Sequence, residues 1–469
     1  MALARAGLPE DALAAMVVPL GAAGEPLPPR LSVQPDRAMP PASVMKLITT
    51  AAALDLLGPA WVWRTPVELH GALDARGVLH GSLVIRGRGD PSLVIERLWL
   101  LLQRVRALGV REIAGDIVLD QRAFEPNAAQ PGDFDGEPLE PYNALPQAFT
   151  VNHQSVMLQL RPAPDGRFAR LSVLPTLAGV RWPERVALQP GPCGDWRRAL
   201  QLDLSVPSRP RVAGRYPASC GEREWPVAWP TEASAAAATS GPDLAVRAIA
   251  ALWRQLGGRL HGHVIERRDE AVPTPDQERM PTVAFEAVSP PLAEVVRDIN
   301  KFSNNLMARQ LFLTLGLHQG AGTLTHARSV VADWAQRRAG CDAHALVLDN
   351  GSGLSRTERA SAACLARVLQ AVWASPTGAE LIASLPVLSV DGTAARRSPE
   401  AVGAAAGRAH IKTGSLDNVA AAAGVVLAAS GRRYVVVGLI HHPATPIQAA
   451  AARAALDALL RWSAEDTSP

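Results

Sequence analysis

The chain of 469 residues carries 47 lysines and arginines, yet only three of them are lysine: Lys46, Lys301 and Lys412. Arginine serves wherever a fixed positive charge suffices. It cannot give up its proton, whereas a lysine can be tuned to act as a base. Each lysine is therefore read first as a candidate for chemistry. Lys46 follows Ser43 by three residues within a stretch, Ser43 to Leu57, that predicts a helix closed by Gly58-Pro59. That spacing sets both side chains on one face. A serine hydroxyl becomes a nucleophile when a neighbouring base takes its proton, and a desolvated lysine is such a base. Lys412-Thr413-Gly414 falls at the end of a predicted strand, where a cation and a hydroxyl would line one edge of a cleft. Ser303-Asn304-Asn305 falls in a break between two predicted helices, directly after Lys301 and Phe302.

The elements that must position these residues lie at the two ends of the chain. Near the N-terminus a short helix and a strand (2–20) precede the Ser43 helix. From 291 onward the pattern turns helical: 291–302, 304–316, 323–340 and 361–374. Residues 408–413, 419–429 and 432–440 read as three successive strands joined by tight turns, hence an antiparallel sheet, with a helix over 446–462 packed on it. Between the halves, 67–70 and 79–86 read as paired strands. Arg88-Gly89-Asp90-Pro91-Ser92 starts a helix reaching about Leu108, and 112–119 is a strand. Residues 126–146 are an extended loop, and 150–160, 168–174 and 180–189 are strands of a mainly β segment; a helix covers 244–256.

Ser-x-x-Lys, Ser-x-Asn and Lys-Thr-Gly, in this order and at a helix start, a helical break and a strand end, match the trio of penicillin-binding proteins and class A β-lactamases. The 256 residues between Lys46 and Ser303 sharpen the match. So do Arg-Gly-Asp-Pro-Ser-Leu (88–93), Pro-Tyr-Asn-Ala-Leu-Pro (141–146), Asn-Gly-Ser-Gly-Leu-Ser-Arg (350–356) and Leu-Pro-Val-Leu-Ser-Val-Asp-Gly-Thr (385–393). The chain resembles the D-alanyl-D-alanine carboxypeptidases and endopeptidases among the class C low-molecular-mass penicillin-binding proteins. The resemblance implies an α/β (α+β) fold: a penicillin-recognising, serine transpeptidase-like domain (1–65 and 283–469), an antiparallel sheet flanked by helices. Two nested, mainly β inserted domains would occupy 66–90 with 160–282, and 91–159. It implies that Ser43 attacks the carbonyl of the penultimate D-alanine and that neutral Lys46 takes its proton. Lys412 would keep Lys46 neutral and, with Thr413, bind the terminal carboxylate. Ser303 would relay a proton to the leaving amine and Asn305 orient Lys46 and the peptide. The backbone N–H groups of Ser43 and Ser415 would hold the oxyanion. Gly414, Asp417 and Arg356 belong to the implied substrate-binding set, and Asn152 to a segment near the cleft. Implied partners are peptidoglycan stem peptides, with β-lactams as inhibitors and no cofactor; the implied place is periplasmic or cell-wall-associated.

Two rivals stand beside this reading. A β-lactamase shares the acylation chemistry, but its acidic base should follow the Ser-x-Asn motif, and Glu140 precedes it by more than 160 residues. A non-catalytic peptidoglycan-binding protein would keep the fold without reacting, and labelling by a fluorescent penicillin separates it from an enzyme. No Gly-x-Ser-x-Gly elbow supports a Ser-His-Asp hydrolase. His261-x-His263 and His441-His442 lack metal-ligand companions and read as surface residues, so no metal is expected. Lys301 reads as a solvated or locally hydrogen-bonded residue rather than a catalytic one.

Composition excludes other classes. Hydrophobic residues are 48% and charged ones 19%, too apolar for disorder, while no run of 18 apolar residues predicts a membrane span. A net charge of +3 without blocks of like charge gives no sign of a nucleic-acid partner. The N-terminus shows no basic stretch followed by a long apolar one, so no export signal is read there. Cys193 and Cys220, both in Gly/Pro-rich surroundings, are expected to close an exposed loop as a disulfide. Cys341 and Cys364 are expected to be free thiols.

Overall fold

Residues 419–427, Val-Ala-Ala-Ala-Ala-Gly-Val-Val-Leu, are apolar throughout, and such a strand can only be a central one covered on both faces. In the computed structural model, which describes residues 2–5, 7–21, 27–126, 128–230, 244–268, 282–442 and 448–468, every one of them but Leu427 is buried. The strand Val419–Leu427 lies second in a five-stranded antiparallel sheet. The order is Ala409–Leu416, Val419–Leu427, Arg433–His441, Leu13–Pro19 and Leu31–Val33, so the N-terminal strands complete a sheet built by the C-terminus. Helix Ala449–Ala464 packs on this sheet through Ala452, Leu456 and Leu460. Helix Ala362–Trp373 packs against strands Leu13–Pro19 and Arg433–His441.

Helix Lys46–Leu57 is apolar on nearly every side and is buried from Lys46 to Leu54, as an all-round apolar helix must be. It packs among helices Leu292–Phe302, Asn305–His318, Leu324–Ala339 and Ala362–Trp373. These elements form one of two compact units, Met1–Val62 with Pro290–Pro469.

The other unit spans Trp63–Ser289. Its seven-stranded mixed sheet pairs Arg64–Leu73 with Val78–Arg86 and Thr282–Val288. Glu112–Ile113, Ile117–Asp120, Arg259–Leu260 and Val264–Arg267 add to it in parallel. A six-stranded sheet holds Ser155–Pro162, Phe168–Leu174, Arg185–Gln189, Leu200–Asp203, Arg211–Pro217 and Arg223–Ala228. Helices Ile95–Ala107 and Leu244–Gln255 share an apolar core with both sheets.

The structure corrects the sequence reading in several places. The expected continuous helix from Ser43 is a 3-10 turn, Ala42–Met45, followed by the α-helix from Lys46. The helix expected to begin at 88–92 starts at Ile95, because Asp90 Oδ1 takes the N–H of Ser92 in a turn of its own. The expected strand 112–119 is broken into two by Ala114-Gly115-Asp116. The strand expected from Val180 begins at Arg185, beyond Pro183, whose nitrogen cannot join a ladder.

Cys193 and Cys220 are joined, as expected. Cys341 and Cys364 are joined too, which corrects their reading as free thiols. The helices Leu324–Ala339 and Ala362–Trp373 pack together and bring the two Cα atoms to 5.3 Å, a juxtaposition that no local spacing announces. Cross-linking cysteines 23 residues apart restricts the unfolded chain by about 3 kcal/mol in the loop-entropy treatment. Non-reducing peptide mapping should therefore recover both linked peptides, and Cys364→Ala should lower the melting temperature while leaving the second unit's Cys193–Cys220 peptide intact.

Candidate active site

Ser43 sits in the 3-10 turn, where residues i and i+3 eclipse, so Lys46 stands directly beneath it. The turn is entered through Ala42 in the left-handed region (φ 46°). Lys46 is completely buried. Its Nζ lies 3.0 Å from Ser43 Oγ and 2.6 Å from Asn305 Oδ1, and it also donates to the Ser352 carbonyl. All three partners can accept from the amine; once it is neutral, two N–H groups suffice for the two carbonyl oxygens and the lone pair is left for the serine hydroxyl. Burial holds the amine well below the ordinary lysine range. Lys412 and Arg309 push the same way, while Glu358 opposes them.

Ser303 ends helix Leu292–Phe302 in a left-handed conformation (φ 56°, ψ 35°), and Asn304 caps the next helix by accepting the Met307 N–H at 3.0 Å. Two of the three motif residues therefore turn to the site while the middle one serves the helix. Asn305 opens helix Asn305–His318 and reaches Lys46. Ser303 Oγ lies 2.8 Å from Lys412 Nζ. Lys412, also completely buried, donates in addition to its neighbour's carbonyl, Thr413 O, at 2.8 Å; burial lowers its pKa to about 7.

Strand Ala409–Leu416 is the edge of its sheet, and it lies flat against the serine turn because residue 414 has no side chain. A Cβ on Gly414 would stand 3.0 Å from the Ser43 nitrogen and 2.8 Å from the Pro41 carbonyl. Gly353 does the same from the other side: its Cβ would fall 1.9 Å from the Ala42 carbonyl, and its φ of +85° suits glycine. Thr413 is half-buried and its Oγ1 is 3.0 Å from Thr393 Oγ1. Ser415 is exposed on the strand, Asp417 is exposed in the turn to Val419–Leu427, and Arg356 is exposed at the end of the 350–356 loop.

The structure thus brings together two hydrogen-bonded groups, Ser43–Lys46–Asn305 and Ser303–Lys412, close enough for the Lys412 charge to act on Lys46, with Thr413 and Gly414 adjoining. Sequence reasoning passed over three participants: the Ser352 carbonyl, Thr393, and Glu358. Ser352 and Thr393 lie within segments that the resemblance had marked, 350–356 and 385–393, but neither segment was assigned a part. Of the two readings left open for Lys301, the structure shows the hydrogen-bonded one and not the solvated one. Its buried Nζ lies 2.6 Å from Asp391 Oδ2, and Asp391 Oδ1 accepts the Val387 N–H at 2.7 Å. This ion pair ties the helix end before Ser303 to the loop that carries Thr393. Among the described residues no group of histidine, cysteine and acidic side chains could hold a metal. His261 bonds to Glu112 instead.

A family model for the D-Ala-D-Ala carboxypeptidase 3 (S13) family matches residues 3–465. The chain belongs to that family. An S13 chain is a serine carboxypeptidase, and half-buried Ser43 and buried Lys46 both lie inside the matched span. A D-alanyl-D-alanine carboxypeptidase of Actinomadura sp. (strain R39) is 30% identical to this S13 chain over 443 residues, 89% of this chain and 76% of that protein. Penicillin-binding protein 4 (dacB) of Haemophilus influenzae has the same fold, with a TM-score of 0.74 at 22% identity over 96% of this chain and 94% of that one. Its complex with a β-lactam gives a TM-score of 0.71 at 20% identity over the same shares.

The Lys301–Asp391 pair generates a prediction. Lys301→Gln and Asp391→Asn should each lower the acylation rate by a modest factor through displacement of Ser303 and Thr393. The double variant should do no worse than the poorer single one, since both lose one interaction. A double-mutant cycle on acylation rates checks this; fully additive losses would contradict it.

Proposed function

We propose that the chain is a serine D-Ala-D-Ala carboxypeptidase that cleaves peptidoglycan stem peptides through an acyl-enzyme on Ser43, with β-lactams as inhibitors. One observation carries the reading: a fully buried lysine amine 3.0 Å from a serine hydroxyl, with its remaining partners fit to leave its lone pair free for that hydroxyl. Lys46 removes the Ser43 proton as Oγ attacks the carbonyl of the penultimate D-alanine. The oxyanion is received by the N–H groups of Ser43 and Ser415, which the close approach at Gly414 sets on neighbouring strands of backbone. Lys412 and Thr413 bind the terminal carboxylate. Ser303, bonded to Lys412, passes a proton to the departing amine, and Asn305 holds Lys46 in register. Residues 386–388 pair with the start of the Ala409–Leu416 edge, and the edge beyond Ile411 gives the peptide backbone a strand to pair with, while Asp417 and Arg356 stand where they can touch the stem. Water then releases the acyl group.

The setting supports an extracytoplasmic, periplasmic or wall-associated place: two disulfides persist in an oxidising compartment, and no described helix is long and apolar enough to cross a membrane. Cleavage of cross-links as an endopeptidase is the second reading, favoured by likeness of fold to a predatory endopeptidase of Bdellovibrio bacteriovorus. Incubation with purified pentapeptide monomers and cross-linked dimers, followed by mass analysis, distinguishes the two.

Benzylpenicillin should form a covalent adduct on the tryptic peptide containing Ser43, and Ser43→Ala should fold normally while losing both labelling and hydrolysis. An unmodified Ser43 peptide from penicillin-treated, active protein would contradict the assignment. The lysines should differ in kind. Lys46→Arg places a guanidinium with a pKa above about 12 where a neutral base is needed, so acylation should fall by several orders of magnitude. Near-wild-type acylation by that variant would falsify the general-base role. Lys412→Arg should keep part of the activity. Because the wild-type amine loses its charge above about 7, carboxylate binding should weaken on the alkaline side, and the arginine variant should carry its remaining activity to higher pH. Acylation rates against pH check this, with circular dichroism to confirm folding.

A further inference from the structure

The carbonyl that receives Lys46 belongs to Ser352, in the loop Asp349-Asn350-Gly351-Ser352-Gly353, which is itself neither helix nor strand and which Arg328 fastens at its start, donating to the Asp349 carbonyl at 2.7 Å. Glu358 gathers its backbone N–H groups. This residue precedes the short strand Arg359–Ser361 and is 1% exposed. Its Oε1 accepts the N–H groups of Asp349 (3.2 Å), Asn350 (3.0 Å) and Gly351 (2.7 Å), and its Oε2 accepts that of Gly353 (2.8 Å). Burial pushes the Glu358 carboxyl up and its backbone donors pull it back down; in its ionised form it holds the four N–H groups by charge-assisted bonds, stronger than the neutral ones a turn provides.

The loop so closed grips the serine turn and its helix at three points. Ser352 O receives Lys46, Gly351 O receives Thr49 Oγ1 at 2.7 Å, and Gly353 lies against the Ala42 carbonyl and the Ser43 nitrogen. Asn350 braces it from within, its Oδ1 accepting the Ser352 N–H at 3.0 Å and the Ser352 hydroxyl at 2.6 Å.

We propose that Glu358 is a positioning residue for acylation: it holds the 349–353 loop so that the Ser352 carbonyl takes one N–H of Lys46 and the amine lone pair stays aimed at the Ser43 hydroxyl. The proposal rests on the reading of Lys46 as the base. Glu358 acts on that base by its charge as well. Lys412 and Arg309 favour the neutral amine, Glu358 favours the ammonium, and Asp349 lies close enough to act on both Glu358 and Arg309. Removing the carboxylate's charge therefore lets Lys46 lose its proton at lower pH, even as the loosened loop slows the reaction.

Two variants separate the effects. Glu358→Gln keeps the shape but drops the charge and turns an amide N–H₂ toward N–H groups that need an acceptor. Glu358→Asp keeps the charge but shortens the reach. The readout is the second-order acylation rate with a chromogenic cephalosporin across pH, with melting temperatures alongside. Glu358→Gln should lower the plateau about tenfold, the worth of one lost hydrogen bond to a charged group, and should move the acid limb to lower pH. Glu358→Asp should lower the plateau and leave the acid limb where it is. A folded Glu358→Gln protein with a plateau within about twofold of wild type and an unmoved acid limb overturns the proposal, as does a fall in melting temperature alone. If neither variant folds, Glu358 is a residue of the fold and the proposal falls. A wild-type protein that the cephalosporin does not acylate overturns this proposal together with the reading beneath it, so the two failures are told apart.

Discussion

A lysine amine taken fully out of water without a carboxylate in contact is the condition on which the rest of this site depends. Burial of an ammonium is costly unless it is paired or gives up its proton, and the contacts of Lys46 offer a hydroxyl and two carbonyl oxygens but no counter-ion. The third lysine shows the alternative. Lys301 is nearly as buried, yet it meets Asp391 at 2.6 Å and serves as a clamp. Lys412 lies between the two cases. Its displacement from the ordinary 10.4 to about 7 corresponds to about 4–5 kcal/mol against the charged form, which a bound carboxylate could offset. One residue type thus takes three roles, and the neighbouring acceptors decide which.

The architecture is what makes that burial possible. Lys46 opens a helix that is apolar nearly all round and enclosed by other helices, so no water reaches the amine from behind. Its front is closed by three separate stretches of chain. The 349–353 loop supplies the Ser352 carbonyl, the helical break at 303–305 supplies Asn305, and the edge strand supplies the charge of Lys412. Two of these approaches, by the loop and by the edge strand, need backbone to come closer than a side chain allows, which accounts for glycine at 353 and 414. The left-handed residues Ala42 and Ser303 mark the two places where the backbone bends sharply to turn a side chain inward.

The two disulfides lie one in each compact unit, so each unit is fastened on its own terms. In the unit that holds Ser43 the bond fastens helices Leu324–Ala339 and Ala362–Trp373, both of which pack on helix Lys46–Leu57.

Much of this was legible from residue types alone. The scarcity of lysine, the i, i+3 spacing of Ser43 and Lys46, and the order of the three motifs pointed to an activated serine. Apolar runs such as 419–427 fixed the central strand within a residue or two, because burial on both faces leaves an unmistakable pattern. What the sequence could not carry were contacts between residues far apart in the chain that involve backbone atoms or unspecialised side chains. The Ser352 carbonyl has no identity of its own, since every residue has one. Glu358 looks like any surface glutamate until four N–H groups are found around it. Cys341 and Cys364 sit at helix ends whose packing no local rule predicts. Local chemistry and periodicity are written in residue types and spacings, whereas the burial that lowers the pKa of Lys46 and the pairing of Lys301 with Asp391 exist only once the distant segments have closed around them.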